Sequence, residues 1–317
     1  MAGDGKQESL RDAYGEVLVE LGDEDPKLVV LDADLSGSTR TQFFGKKFPE
    51  RFFNVGVMEP TMMTIAAGLS LGPRTVFAST FAVFAAGQAY NQVRQAICYN
   101  RANVKIVATH GGLLVGPDGG THQIVEDIGL MRGLPGMTVI VPADAPTTRS
   151  AVRAVTKFDG PAYVRLPREN LPTVTDGTFA LGRANELRSG TDLAIVALGA
   201  LVPRALEVAE ELGHVGITCR VLDLASVKPA DTPALLRAAR DTGAILVLEE
   251  HSVETGVGAL VAATVSESYP VPVRRIGVPD LFGESGEAWA VFDRFGLSKE
   301  RILDEAWELL RQRGKVH

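Results

Sequence analysis

Short apolar runs alternate with helix-period segments along the whole chain. KLVVLDA (27–33), FFNVGV (52–57), TVFAST (75–80), VKIVATH (104–110), MTVIVPA (137–143) and AYVRLP (162–167) read as strands. Their near-continuous apolar character predicts parallel strands buried on both faces. Helices are predicted between them at 61–71, 82–99, 123–133 and 145–157. This βαβ rhythm predicts an α/β fold with a doubly wound sheet. Residues 168–190 break the rhythm with Pro172, Gly177, Gly182 and Gly190, and read as a linker. A second α/β set follows, with strands at 193–199, 217–224, 244–250 and 271–278 and helices near 202–212, 232–242, 256–268 and 299–313. In the last helix Ile302, Leu303, Ala306, Trp307 and Leu310 form the apolar stripe of a packed amphipathic helix. The reading is therefore two doubly wound domains.

Ligands of open parallel sheets bind beyond the carboxyl ends of the strands. Asp32 and Asp34, Glu59, Ser79 and Thr80, His110, and Arg165 and Arg168 fall at such ends, all in the first domain. The stretch THGGLLVGPDGGTHQ (109–123) holds His110, Asp118 and His122, with two of the chain's 5 histidines. Neutral imidazole donates and accepts one hydrogen bond, and a carboxylate only accepts, a mixture suited to a polyhydroxylated ligand. Spacing alone leaves polar-ligand binding, plain loop structure and a metal site open; the last is least supported, because the spacings match no recognised ligand pattern. Glu59 lies between two apolar runs and precedes Pro60, so it is expected to start a helix and to be buried. Its bland reading is favourable placement in the helix dipole. Phe81 and Phe84, three residues apart, are expected to share a helix face, as core or as a wall for a flat ligand. Arg11, Ser38, Arg165 and Arg168 are candidates for an anion site, if the fold brings them together.

Composition narrows the class. A net charge of −7 gives no electrostatic footprint for nucleic acid or an anionic membrane. Two distant cysteines, Cys98 and Cys219, predict buried reduced thiols in a cytoplasmic protein rather than a disulfide framework. The N-terminus lacks the apolar core of a signal peptide. The longest strongly apolar run, LAIVALGALV (193–202), is about half the roughly 20 residues of a bilayer span. Two motif fragments are set aside. Gly3-Asp4-Gly5 resembles the start of a thiamine diphosphate motif, but the first asparagine is the distant Asn54. ETGVGALVAA (254–263) lacks a full dinucleotide fingerprint and reads as a helix start.

FPERFFNVGVMEPTMMTIAAGLSLG, STFAVF, VKIVATHGGLLVGPDGGTHQIVEDIGLMR and VPADA together resemble transketolase, and more closely the C-terminal subunit of split transketolases. The resemblance runs from about residue 9 to the C-terminus. It implies a pyrimidine-binding domain over 8–180 and a transketolase C-terminal domain over 181–317. It also implies thiamine diphosphate and Mg²⁺, the metal ligands lying on a partner subunit that carries the diphosphate-binding domain. The implied assembly is a heterotetramer of two of each subunit, inactive without the partner. By matched position, Glu59 corresponds to the family's catalytic glutamate, which hydrogen-bonds N1′ of the aminopyrimidine. Phe81 and Phe84 correspond to the ring pocket, and Asp34 to an aspartate near the cofactor. His110, Asp118 and His122 correspond to contacts to the substrate's hydroxyls and reacting carbonyl, and Arg11, Ser38 and Arg168 to a phosphate clamp. Arg165 has no match and reads as an ordinary arginine. Pro60 departs from the His or Gln often found there. The implied reaction is transfer of a two-carbon ketol unit from a ketose phosphate to an aldose phosphate. The alternatives are a 1-deoxy-xylulose-5-phosphate synthase-like or a 2-oxo acid dehydrogenase β-like subunit, or a non-catalytic regulatory subunit. The clamp and the two histidines favour sugar phosphates, and retention of Glu59 and the ring pocket argues against the regulatory reading.

Overall fold

The computed structural model describes residues 6–314; Gly3-Asp4-Gly5 lies outside them. A short ribbon pairs β1 (Gln7–Glu8) with β8 (Leu171–Pro172). The first sheet contains β2 (Val29–Asp32), β3 (Phe52–Asn54), β4 (Val76–Phe81), β5 (Val104–Thr109), β6 (Thr138–Ile140) and β7 (Ala162–Arg165). The second contains β9 (Asn185–Arg188), β10 (Leu193–Ala197), β11 (Cys219–Asp223), β13 (Ile245–Ser252) and β14 (Val273–Val278). Between β11 and β13, the short strand β12 (Ser226–Lys228) crosses over and closes the first sheet, whose order is β12-β6-β7-β5-β4-β2-β3. All pairs in that sheet are parallel except β12 on β6. The second sheet, β14-β13-β10-β11-β9, is parallel except for β9 on β11.

Side chains alternate across the strands, so each sheet feeds two cores. Val30, Phe77, Val107 and Val164 enter one; Leu31, Ala78, Ile106 and Tyr163 enter the other. Both cores continue into the second sheet, through Ile195 on one side and Ala194 and Val196 on the other. Apolar burial therefore joins the two units. Cys98 and Cys219 are free, buried thiols. Among the described residues no helix is long and apolar enough to cross a membrane.

Four expectations change. FFNVGV is not buried on both faces: β3 is the sheet edge, and Phe53 is 43% exposed. The segment 168–190 is more than a linker, because it supplies β8 and the antiparallel edge strand β9. The helix expected from 123 begins at Asp127, so His122 lies in a turn before it. The helix expected over 82–99 is a short α-turn, Tyr90–Gln92, between two widened π segments, Val83–Gln88 and Val93–Cys98. Such widenings are frequent at functional sites.

Asp223 ends β11 with no hydrogen-bond partner on either carboxylate oxygen among the described residues. Burial, and then the neighbouring Asp144, push its carboxyl up to about 8. The folded chain holds this proton more tightly than the unfolded chain, whose aspartates titrate near pH ~4. Stability is therefore lost progressively as pH rises from about 4 to about 8. Asp223→Asn is expected to raise Tm by on the order of 5 °C at pH 8 and little at pH 4. Equal shifts at both pH values would assign the gain to packing instead.

Candidate active site

The parallel order β5-β4-β2-β3 brings four strand ends to one edge of the first sheet. Asp34 follows β2, Glu59 follows β3, Phe81 closes β4 and His110 follows β5. Arg168 follows β7 on the far side of β5.

Phe81 and Phe84 do not share a helix face. Phe81 is the last residue of β4, and Phe84 lies in the first turn of the widened helix Val83–Gln88. The sharp strand-to-helix turn still stacks their rings, with centroids 5.9 Å apart and planes 11° from parallel. The His110 imidazole stacks on Phe81 at 3.7 Å and 21°. His122 meets Phe84 edge-on at 5.6 Å and 79°. These four rings form a flat-sided aromatic wall that joins the two ends of THGGLLVGPDGGTHQ.

Glu59 is the first residue of the helix Glu59–Leu69, which packs against Val83–Gln88 and so against the element carrying Phe84. Its side chain is 3% exposed, and among the described residues no hydrogen-bond or ion-pair partner reaches its carboxylate. A carboxylate held in an enclosed position without a protein partner is free to accept a hydrogen bond from a ligand. Just before it, Val57 and Met58 stand 74% and 52% exposed. Asp34 sits in left-handed backbone with φ 65°. Asn54 fastens it: Asp34 N donates to Asn54 Oδ1 at 3.1 Å, and Asn54 Nδ2 donates to Asp34 Oδ1 at 3.0 Å.

A cationic group surrounds His110. Burial pushes its imidazole down to about 3, reinforced by the charges of Arg11, Arg168, His122 and Arg40. His110 is therefore a neutral imidazole throughout the physiological range. Its Nδ1 lies 2.9 Å from Thr109 Oγ1. Burial, then Arg40 and also Arg168, lower Arg11 from its usual value. Arg11 Nη1 donates to the backbone carbonyl of Ser38 at 3.1 Å, while its buried Nε has no acceptor among the described residues. Arg168 Nη1 donates to Val115 O at 2.7 Å and lies 3.3 Å from Asp118 Oδ1. Arg11 and Ser38 thus meet, with Arg168 close enough to repel Arg11, and Asp118 pairs with Arg168. Crowded guanidinium groups with an unused buried donor are the arrangement an anion would relax.

Arg40 belongs to this group although the sequence reading passed over it. The only local signal was its place in STRT beside Ser38. Its Nε pairs with Asp12 Oδ1 at 2.5 Å. Arg165, read as ordinary, is instead buried in an ion-pair network with Asp127 and Glu250. Among the described residues there is no cluster of three or more His, Cys, Asp or Glu side chains arranged to hold a metal ion.

Residues 6–174 match the model of the transketolase pyrimidine-binding domain, and residues 182–302 that of the transketolase C-terminal domain. The chain belongs to the transketolase family. It is 39% identical to the 6-deoxy-6-sulfo-D-fructose transketolase subunit of Clostridium sp. (strain MSTE9), over 96% of this chain and 95% of that one. It is 38% identical to a subunit of the apulose-4-phosphate transketolase of Phocaeicola vulgatus, over 95% and 97% respectively. A solved structure described as a split gene transketolase, inactive beta4 tetramer, superposes with a TM-score of 0.90 at 49% identity, covering 96% of this chain and 98% of that one. This transketolase-family chain is a C-terminal section made of the pyrimidine-binding and C-terminal domains, and its pyrimidine-binding domain implies thiamine diphosphate. The residues present suit a pyrimidine: a flat aromatic wall stands beside a helix whose first carboxylate is buried and unpartnered.

Proposed function

We propose that this chain is the pyrimidine-binding subunit of a thiamine diphosphate-dependent transketolase that moves a two-carbon ketol unit from an anionic ketose to an aldose. The observation that carries the reading is the buried, unpartnered Glu59 on a helix packed against the element that carries Phe84. Glu59 hydrogen-bonds the pyrimidine ring nitrogen N1′ and holds or returns its proton. Phe81 and Phe84 give the ring its apolar seat, and Asp34 borders it. The cofactor, when bound, supplies the nucleophilic carbon that accepts the ketol unit.

His110 and His122 contact the reacting carbonyl and neighbouring hydroxyls, and Asp118 accepts from a further hydroxyl. His110 acts as a neutral imidazole, because burial keeps it unprotonated well below pH 7. Arg11, Ser38 and Arg168, joined by Arg40, bind the substrate's phosphate. The sugars in the relatives' descriptions, a sulfonated fructose and apulose-4-phosphate, both carry an anionic group, which agrees with this use of the arginines.

Residues 8–180 form the catalytic pyrimidine-binding unit and 181–317 the C-terminal unit. A partner subunit carries the diphosphate-binding domain and the Mg²⁺ ligands, and two copies of each chain make a cytoplasmic heterotetramer with two sites. Support comes from relatives described as transketolase subunits and matched over nearly their whole length, and from the tetramer of beta chains described as inactive. Exposed Val57 and Met58, next to Glu59, offer apolar surface for that partner. The test is to purify this chain alone and with the diphosphate-binding subunit, then assay ketol transfer from a ketose phosphate with thiamine diphosphate and Mg²⁺. Transfer is expected only from the mixture. Full transfer by this chain alone would refute the shared site, and carbon dioxide release from pyruvate in place of transfer would assign a decarboxylating reaction.

A further inference from the structure

The loop that carries His110 and His122 is fastened from beneath by a buried ion pair spanning both domains. After His110 the next four backbone N–H groups are all taken. Gly111 N donates to Leu166 O at 3.1 Å and Gly112 N to Ile124 O at 3.0 Å. Leu113 N and Leu114 N both donate to Glu250 Oε1, at 2.6 and 2.8 Å. Glu250 lies on β13, in the second sheet. Its Oε2 faces Arg165 Nη1 at 3.5 Å, and Arg165 Nη2 donates to the Glu250 carbonyl at 3.1 Å. Arg165 Nε donates to Asp127 Oδ2 at 3.0 Å, and Tyr163 OH donates to the same oxygen at 2.7 Å. All four side chains are buried.

This pair also explains the two glycines after His110. A β-carbon at Gly111 would overlap the Arg165 side chain; at Gly112 it would overlap both the Glu250 carboxylate and the Arg165 guanidinium. Gly112 further requires a φ of +84°. His110 itself is left-handed, with φ 60°. A residue with a β-carbon holds that conformation only where its surroundings over-determine it. Here they do, and half of the four N–H anchors come from one carboxylate oxygen of the other domain.

We propose that Glu250 and Arg165 are positioning residues for the transfer reaction: they hold the backbone after His110 so that its imidazole stays stacked on Phe81 and aimed at the substrate. This rests on the assignment of His110 as a substrate contact. It gives the C-terminal domain a part in the chemistry of the first sheet. Replacing the Glu250 carboxylate by an amide leaves an acceptor for the two N–H groups but turns a donor toward the Arg165 guanidinium, so the anchor shifts.

The experiment uses the complex of this chain with the diphosphate-binding subunit, loaded with thiamine diphosphate and Mg²⁺. Wild type, Glu250→Gln, Arg165→Lys, His110→Ala and the His110→Ala/Glu250→Gln double variant are compared for kcat, KM of a ketose phosphate and cofactor affinity. Glu250→Gln and His110→Ala are each expected to lower kcat at least tenfold, with cofactor affinity within twofold. The double variant is expected to match His110→Ala within threefold, because both changes remove the same imidazole. A generally loosened structure would instead multiply the two losses, and that outcome overturns the proposal while leaving the site reading intact. Wild-type kcat in Glu250→Gln overturns it as well. Wild-type kcat in His110→Ala overturns the site reading and this proposal with it. If Glu250→Gln does not fold or assemble, Arg165→Lys, which keeps the charge facing Glu250 but gives up the guanidinium fork, carries the same comparison alone and combined with His110→Ala.

Discussion

Glu59→Gln is expected to lower kcat for ketol transfer by about 10²–10⁴-fold while leaving the chain at least as stable as wild type. The rate loss follows from the role: an amide cannot hold and return the proton at the pyrimidine nitrogen, and general acid–base groups contribute roughly 10²–10⁴-fold. The stability expectation follows from the burial. Glu59 occupies the first turn of its helix, where a negative charge gains about 0.3–1 kcal/mol from the dipole. Against that stands the partial desolvation of a residue that is 3% exposed overall and has no partner among the described residues. The two effects oppose each other and the isosteric amide gives up both, so stability is not expected to fall. A residue kept for packing behaves in the opposite way, with stability falling and activity following it. The measurement is kcat of the reconstituted complex beside the Tm of the isolated chain. A Tm several degrees below wild type with kcat within tenfold would make Glu59 a structural helix start.

The same residue shows what could be read from the sequence. A carboxylate between two apolar runs and followed by proline announces a buried helix start, because burial and the Pro restriction are local. The strands made of short apolar runs were equally legible, whereas β8 and β9, set in polar sequence, were not. The order of the strands in space was not legible either. FFNVGV resembles the buried strands in composition, yet β3 has a neighbour on one side only, a matter of pairing that no local pattern records. The three residues of β12 carry no strand signature and join the first sheet through an antiparallel pairing with a distant partner. Arg165 and Arg168 are three positions apart in one short segment and have opposite surroundings. Arg165 turns into the seam between the domains, whereas Arg168 stands a third exposed beside Asp118. Glu250 lies in the last half of an apolar strand, and nothing near it in sequence signals that its Oε1 serves a loop 136 residues away. Local chemistry is written locally; pairing across the domain seam is decided by tertiary contacts alone.

Arg168→Ala is expected to raise KM for phosphorylated donors by roughly 10–150-fold, the effect of a charge-assisted hydrogen bond of about 1.5–3 kcal/mol. KM for the unphosphorylated sugar is expected to stay within about twofold, since no phosphate contact is there to lose. Arg168 is already oriented by its bond to Val115 O, so little side-chain entropy remains to be lost on binding. Its removal also frees Asp118, whose carboxylate then adds repulsion toward an incoming phosphate. Arg11→Lys is expected to act in the same direction. A lysine keeps the charge but gives up the buried Nε donor, which has no acceptor among the described residues. Because Arg168 is partly exposed, its attraction is screened by salt. The difference in KM between wild type and Arg168→Ala should therefore shrink as ionic strength rises, which separates a phosphate contact from a packing defect. Equal increases for phosphorylated and unphosphorylated donors, unchanged by salt, would remove Arg11 and Arg168 from the phosphate site and leave them as supports of the loop that ends at His122.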